Sequence, residues 1–425
     1  MWVALAAAVV ALVGATVLSG VAVVSMSNST AGRNVADDLE ITEAVQRLPW
    51  TATALVGVID ADGVLTSTVV AVLPPEGRGG TLVSISPSAD AASATASIIR
   101  PLDAVFAIEG PGAWRAAVEQ LSGLSFDHAE IIDEERFIEL VSPLGDLPTV
   151  FPFAFTDANS DTTFDSGQNV LSSASAARAV TARNAAGPSW QFDAARDAVW
   201  AAVANRVGAG IGSLPAEVRF DRGNAPADLD QFVDALFAAP AEFRSLSSTP
   251  VDPVRATNQM PVEHAEYLGA DANESVVALN RSETVLLFAS IAPARVGAPL
   301  DGPTVRLVSG FTDDAVEPLG MNRSDVIASA LDVLLFAQTN VRSVVDDPGG
   351  AVPHRTRIVV ADPALVDRTW STYGGLFGDL QVVVADVRIE GIDLEIILGS
   401  EYLDVLRHDG EPVDVLTTEG EGSES

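Results

Sequence analysis

The sequence predicts an α/β protein, two mixed α/β units of unequal size behind an apolar N-terminal helix. Three observations predict it. Runs with strand character alternate with runs of helical period on both sides of a proline- and glycine-rich break at 293–303. The stretch 121–153 reads as helix end, strand, helix, strand, with a chemical reason at each boundary. Residues 2–26 carry no charge and are almost wholly Ala, Val, Leu and Gly.

Taken in order, the N-terminal run is long enough to span a bilayer, which needs roughly 20 apolar residues. The weak small-x-small site at Ser25-Met26-Ser27 favours an uncleaved anchor over a cleaved signal peptide. Residues 27–50 are polar and acidic and read as a stalk. A β-meander follows. Ala52 to Ile59 ends at the Asp60-Ala61-Asp62-Gly63 turn, Val64 to Leu73 ends at a Pro/Gly-rich loop, and Thr81 to Ile85 is the third strand.

A helix through Trp114, Val118 and Leu121 closes at Gly123, which can take a positive φ. Ala129 to Ile132 suits a short buried strand. Phe137, Ile138, Leu140, Val141 and Leu144 recur at helical spacing until Gly145. Pro148 and Pro152 confine the next strand to an edge. Helices are expected at 175–183, 192–207, 227–238 and 284–291, with strands at 243–251 and 275–279.

Beyond the break, strands are expected at 305–308, 341–345, 357–361, 382–385 and 394–398. Ser324 is the expected N-cap of a helix through Ile327, Leu331 and Leu335, and Pro363 the start of another. The domain plan is therefore 1–26 anchor, 27–50 stalk, 51–292 first domain, 293–303 linker, 304–405 second domain and 406–425 disordered acidic tail.

Composition narrows the function. The 58 Asp and Glu face 24 basic residues, all Arg, for a net charge of −34. Such a chain repels phosphate backbones, which argues against nucleic acid as a partner. There is no cysteine, so disulfides, thiol catalysis and Cys-based zinc sites are excluded. No nucleophile elbow, P-loop, dinucleotide fingerprint or His-Glu-x-x-His is present.

Leu-x-Gly-Leu-x-Phe-Asp-His at 121–128, followed by Asp, Phe and a Leu-Val-x-x-Leu-Gly helix, resembles the middle of LytR-CpsA-Psr (LCP) domains. VRLVSGF and DLEIILGSEY, beyond the break, resemble the LytR C-terminal domain that often follows them. The resemblance implies an LCP-like mixed α/β domain followed by a smaller α/β LytR C-terminal-like domain, with the main body extracytoplasmic. It also implies an activity, the transfer of glycopolymers from a polyprenyl-pyrophosphate carrier to peptidoglycan, which needs guanidinium groups for the pyrophosphate and carboxylates for magnesium.

The positions that would carry it are eroded. The family's Arg-x-Asp-Thr corresponds to Leu65-Thr66-Ser67-Thr68, and its Ile-Pro-Arg-Asp to Ile85-Ser86-Pro87-Ser88. Arg183 stands for one arginine of a later cluster, and Arg196 for another with a one-residue shift. These two are the pyrophosphate candidates, although the plain reading of both is surface arginine in an acidic protein. Asp60, Asp157, Asn159 and Asp161 are the candidates for magnesium or calcium. Asp157, Asn159 and Asp161 occupy the first alternate positions of a calcium loop, but Thr162 and Gln168 stand where an EF-hand has Gly and Glu. The plain reading of that loop is a solvated turn, and of Asp60 a turn residue.

The expectation is a membrane-anchored, extracytoplasmic LCP-like protein of cell-envelope biogenesis with a non-catalytic binding or scaffold role. Its expected partners are a polyprenyl-linked glycopolymer, peptidoglycan or an envelope protein. The alternative is a working phosphotransferase with an anion site rebuilt around Arg183 and Arg196.

Overall fold

The structure, a computed structural model, describes residues 45–46, 48–92, 98–184, 188–208, 220, 224–269, 272, 274–293, 303–337 and 339–409. The expected anchor, nearly all of the stalk and the acidic tail from 410 lie outside these residues. Among the described residues no helix is long and apolar enough to cross a membrane.

After a short strand β1 (Val45–Gln46), the meander forms as expected: β2 (Thr53–Ile59), β3 (Leu65–Val72) and β4 (Gly80–Ile85). Helices α1 (Leu102–Glu109) and α2 (Pro111–Ser122) follow, then β5 (His128–Ile132), α3 (Glu134–Val141) and β6 (Leu147–Phe151). A small hairpin, β7 (Phe155–Thr156) and β8 (Thr163–Phe164), precedes β9 (Gly167–Leu171). Then come α4 (Ser173–Thr181), α5 (Asp193–Val207), α6 (Leu229–Phe237) and β10 (Ala241–Ser245). The remainder of this half is β11 (Ser248–Pro250), α7 (Pro253–Gln259), α8 (Val262–Leu268), β12 (Val277–Leu279) and α9 (Arg281–Ile291).

The main sheet has the order β10-β4-β3-β2-β5, with antiparallel pairing in the meander and parallel pairing at both flanks. Alternation along the meander feeds two cores. Leu55, Val70, Val83 and Ile85 pack under α1 and α2, and Val56, Val58, Val69 and Ala71 pack under α3, α4 and α5. Gly57 has a packing reason. A Cβ there would come within 2.6 Å of Ile131 Cδ1 and 3.0 Å of the Trp114 ring, so its absence lets α2 settle on the sheet. Gly123 ends α2 at φ 71° as its position predicts.

The second unit comprises β13 (Thr304–Ser309), α10 (Asp313–Val316), α11 (Arg323–Phe336), β14 (Asn340–Asp346), β15 (Thr356–Val360), α12 (Val366–Tyr373), β16 (Leu380–Val384), β17 (Arg388–Ile389), β18 (Leu394–Ile397) and α13 (Ser400–Asp409). Its sheet has the order β14-β13-β18-β15-β16.

Several expectations are corrected. The strand expected over 243–251 breaks into β10 and β11, which join different sheets. The N-cap of α11 is Asn322, not Ser324; Asn322 and Asp325 form a reciprocal capping box. Pro363 opens a short 3₁₀ turn ahead of α12. The α13 helix continues through Asp409, so 406–409 is ordered helix and not tail. The last helix of the first unit, α9, packs against α11 and β14 as well as α2, so the apolar core runs on into the second unit.

Candidate functional site

The polar loops gather where the meander meets α4 and α5. Asp60, at the end of β2, accepts the Asp62 and Val64 N–H groups on Oδ1, both at 2.9 Å, which sets the turn. Its other oxygen accepts the Asn159 side-chain amide at 3.1 Å and lies 3.5 Å from Arg183 Nη1. Arg183 also reaches Asp62 at 3.1 Å.

Asn159 belongs to the β7–β8 loop. That hairpin is fixed by aromatic packing, with the Phe155 and Phe164 rings stacked at 4.8 Å and Phe151, Phe153 and Phe192 around them. Inside the loop the Asp157 carboxylate accepts the N–H of Asn159 (3.2 Å), Ser160 (3.0 Å) and Arg183 (3.0 Å), and the Ser160 hydroxyl (2.6 Å). Burial pushes its pKa up, but these four donors outweigh it and hold the group below the usual carboxylate value. Asp157 is therefore a buried organiser of the loop, correcting the expectation of a solvated turn. Asp161 stands apart, exposed at the loop tip at φ 52°.

The structure thus brings Asp60, Asp157, Asn159 and Arg183 together, but as a closed network of donors and acceptors. A divalent ion at Asp60 would face the Asn159 N–H₂ group and a guanidinium, so these residues do not fit magnesium or calcium. Among the described residues no group of three or more His, Cys, Asp or Glu side chains is placed to hold a metal.

Arg196 is the larger correction. It is not a surface residue, since only 3% of it is exposed. Nη1 donates to the Asp193 carboxylate at 2.9 Å and the Ser189 carbonyl at 3.2 Å, and Nη2 donates to the Ala182 carbonyl at 2.9 Å. Burial lowers its pKa, opposed chiefly by Asp193. Arg196 and Arg183 therefore serve different carboxylates. Their connection runs through the backbone, because Arg196 fixes Ala182, the residue before Arg183.

Sequence reading missed the acids around Arg196. Asp193 hydrogen-bonds Ser86, and Asp197 hydrogen-bonds Ser84 and Ser245. Asp103, at the start of α1, lies within electrostatic reach of Asp193 and Arg196. Burial pushes the Asp103 carboxyl up to about 7 and that of Asp193 to about 6. The available signal was Asp193-x-x-Arg196-Asp197 in the first turns of a helix, opposite serines at alternate positions 84, 86 and 88. Tyr267 on α8 faces the same region, and burial first, then Asp103, pushes its hydroxyl up to about 12. Of the histidines, His128 hydrogen-bonds the Pro226 carbonyl at 2.8 Å, a structural role. His264 is buried, with Nε2 3.5 Å from the Glu109 carboxylate.

No family model matches the chain, and no curated protein matches its sequence. Several solved structures are similar to it. TagV of B. subtilis is 16% identical over 56% of this chain and 98% of that one, with a TM-score of 0.35. TagU of B. subtilis is 16% identical over 48% and 87%, at 0.29. TagT bound to LIIa-WTA is 13% identical over 58% and 93%, at 0.36. All three are LCP proteins. At these TM-scores the likeness carries nothing about the site, which rests on its own residues.

Proposed function

We propose that this chain is an extracytoplasmic LCP-like protein of the cell envelope, anchored by its N-terminal apolar segment, that binds an envelope polymer or protein and does not transfer glycopolymers. The motifs at 121–153 and in the second unit support the family. One observation carries the loss of activity: both candidate arginines are already committed to protein acceptors. Around them stand Asp60, Asp62, Asp103, Asp193 and Asp197, so a pyrophosphate would meet an excess of negative charge. Each charge-assisted contact is worth roughly 1.5–3 kcal/mol, and releasing either arginine for a ligand would leave a carboxylate unpaired.

The test is incubation of the full chain in mild detergent with a polyprenyl-pyrophosphate-linked glycopolymer, peptidoglycan and magnesium. The expected result is no release of polyprenyl phosphate above a protein-free control. Turnover abolished by Arg183→Ala would overturn the proposal and restore the transferase reading.

A further inference from the structure

Four ionisable side chains meet at the junction of α1, α5 and the end of β4, and their charges do not balance. Asp193 pairs directly with Arg196 at 2.9 Å, and Asp103 and Asp197 lie within electrostatic reach of the same guanidinium. Two polar atoms there lack a hydrogen-bond partner, Arg196 Nε and Asp197 Oδ1. The backbone ties are short. The Asp103 N–H donates to the Pro87 carbonyl at 2.8 Å, its Oδ1 accepts the Ala104 N–H at 2.7 Å, and the Ser88 and Ser189 hydroxyls meet at 3.1 Å. α1 and α5 belong to cores on opposite faces of the sheet, and the segment 86–88 links them, through Pro87 to Asp103 of α1 and through Ser86 to Asp193 of α5.

We propose that the cluster is a proton-operated latch, which holds the Ser86–Ala92 segment and the start of α1 against α5 while its carboxyls retain a proton and loosens them when all three are ionised. The facing groups are Asp103 from α1, Asp193, Arg196 and Asp197 from α5, the Ser84 and Ser86 hydroxyls from β4 and its end, Ser245 from β10 and the Tyr267 hydroxyl from α8. Only Arg196 is cationic, so full ionisation leaves an excess of two negative charges around a buried guanidinium. Such a cluster titrates as a unit.

The sign follows from linkage. Between 3.8 and about 7 the unfolded chain has released the Asp103 proton while the fold keeps it, so this contribution falls as pH rises through that window. Asp193 acts in the same direction up to about 6. His264 opposes it below its ordinary value of 6.5, because burial lowers its pKa. The diagnostic quantity is therefore the difference between the native chain and Asp103→Asn, in which His264 cancels.

The experiment follows the thermal midpoint of both full-length proteins in mild detergent from about pH 5 to about pH 8, with hydrogen-exchange protection of residues 86–92 and 102–109. Asp103→Asn is expected to melt roughly 3–5 °C above the native chain at the alkaline end, with the gap closing or reversing at the acid end. Protection in those segments is expected to fall with pH in the native chain alone. A gap independent of pH, or equal loss of protection in both proteins, would overturn the latch. If Asp103→Asn does not fold, infrared spectroscopy of the native chain decides. A protonated carboxyl band persisting above about pH 5.5 supports the latch, and its absence sinks it.

Discussion

Arg183 holds its guanidinium 3.5 Å from the Asp60 carboxylate, which is 2% exposed while the arginine side chain is 40% exposed. The pair joins the end of β2 to the end of α4. Because the arginine is half in solvent, screening limits what it contributes. Arg183→Ala is expected to cost about 1 kcal/mol or less in urea denaturation. Asp60→Ala is expected to cost roughly 2–3 kcal/mol, because it also strips the acceptor from the Asp62, Val64 and Asn159 donors. Equal costs for the two would contradict this division.

Asp157 should govern acid sensitivity. Its pKa is held below 3.8 in the fold, so its contribution is complete above that value and is lost as pH falls through the lower folded one. Asp157→Asn keeps the shape of the side chain but removes the charge that four donors recognise. It should lower stability at neutral pH and flatten the acid limb of the unfolding curve. An acid limb as steep as that of the native chain would assign the sensitivity to Glu109, whose pKa is lowered first by its hydrogen bonds from Arg100.

The meander, the glycine stop at Gly123 and the helix–strand order of 121–153 were legible because each rests on local chemistry: apolar runs closed by turn residues, a positive φ, a period of 3.6. The α11 cap was misplaced by two residues since Ser324 and Asn322 both suit an N-cap, and only the reciprocal Asp325 contact selects Asn322. The split of 243–251 is a tertiary choice between two sheets, to which a short polar strand gives no clue. The burial of Arg196 was hidden for a related reason. Two of its three acceptors are the Ser189 and Ala182 carbonyls, and a backbone oxygen leaves no mark in a sequence.

Gly57 tests the packing of α2. Its φ is ordinary, so the cost of a side chain there is steric and not conformational. Gly57→Ala must displace Ile131 Cδ1 and the Trp114 ring, and Trp114 is fully buried. The expected penalty is about 1–3 kcal/mol, the usual range for overpacking. Gly57→Ala combined with Ile131→Val removes the nearest clashing carbon and should recover part of that loss. No recovery would place the strain on Trp114 alone.

Arg196 separates structural from ligand-binding roles most sharply. Arg196→Met leaves the half-buried Asp193 near Asp197 without its cation, and the Ala182 and Ser189 carbonyls lose their donor. The expected loss is roughly 3–5 kcal/mol, the scale for breaking one side of a buried pair. Arg196→Lys should rescue little, since a single ammonium cannot reproduce a planar fork that reaches three acceptors. Arg196→Met with Asp193→Asn should lose less than Arg196→Met alone, because the stranded charge is gone. An arginine kept for an anionic ligand would behave differently: Arg196→Met would leave the fold as stable as before, or stabilise it, and reduce binding alone. Chemical denaturation of the three variants distinguishes the cases without knowledge of the ligand.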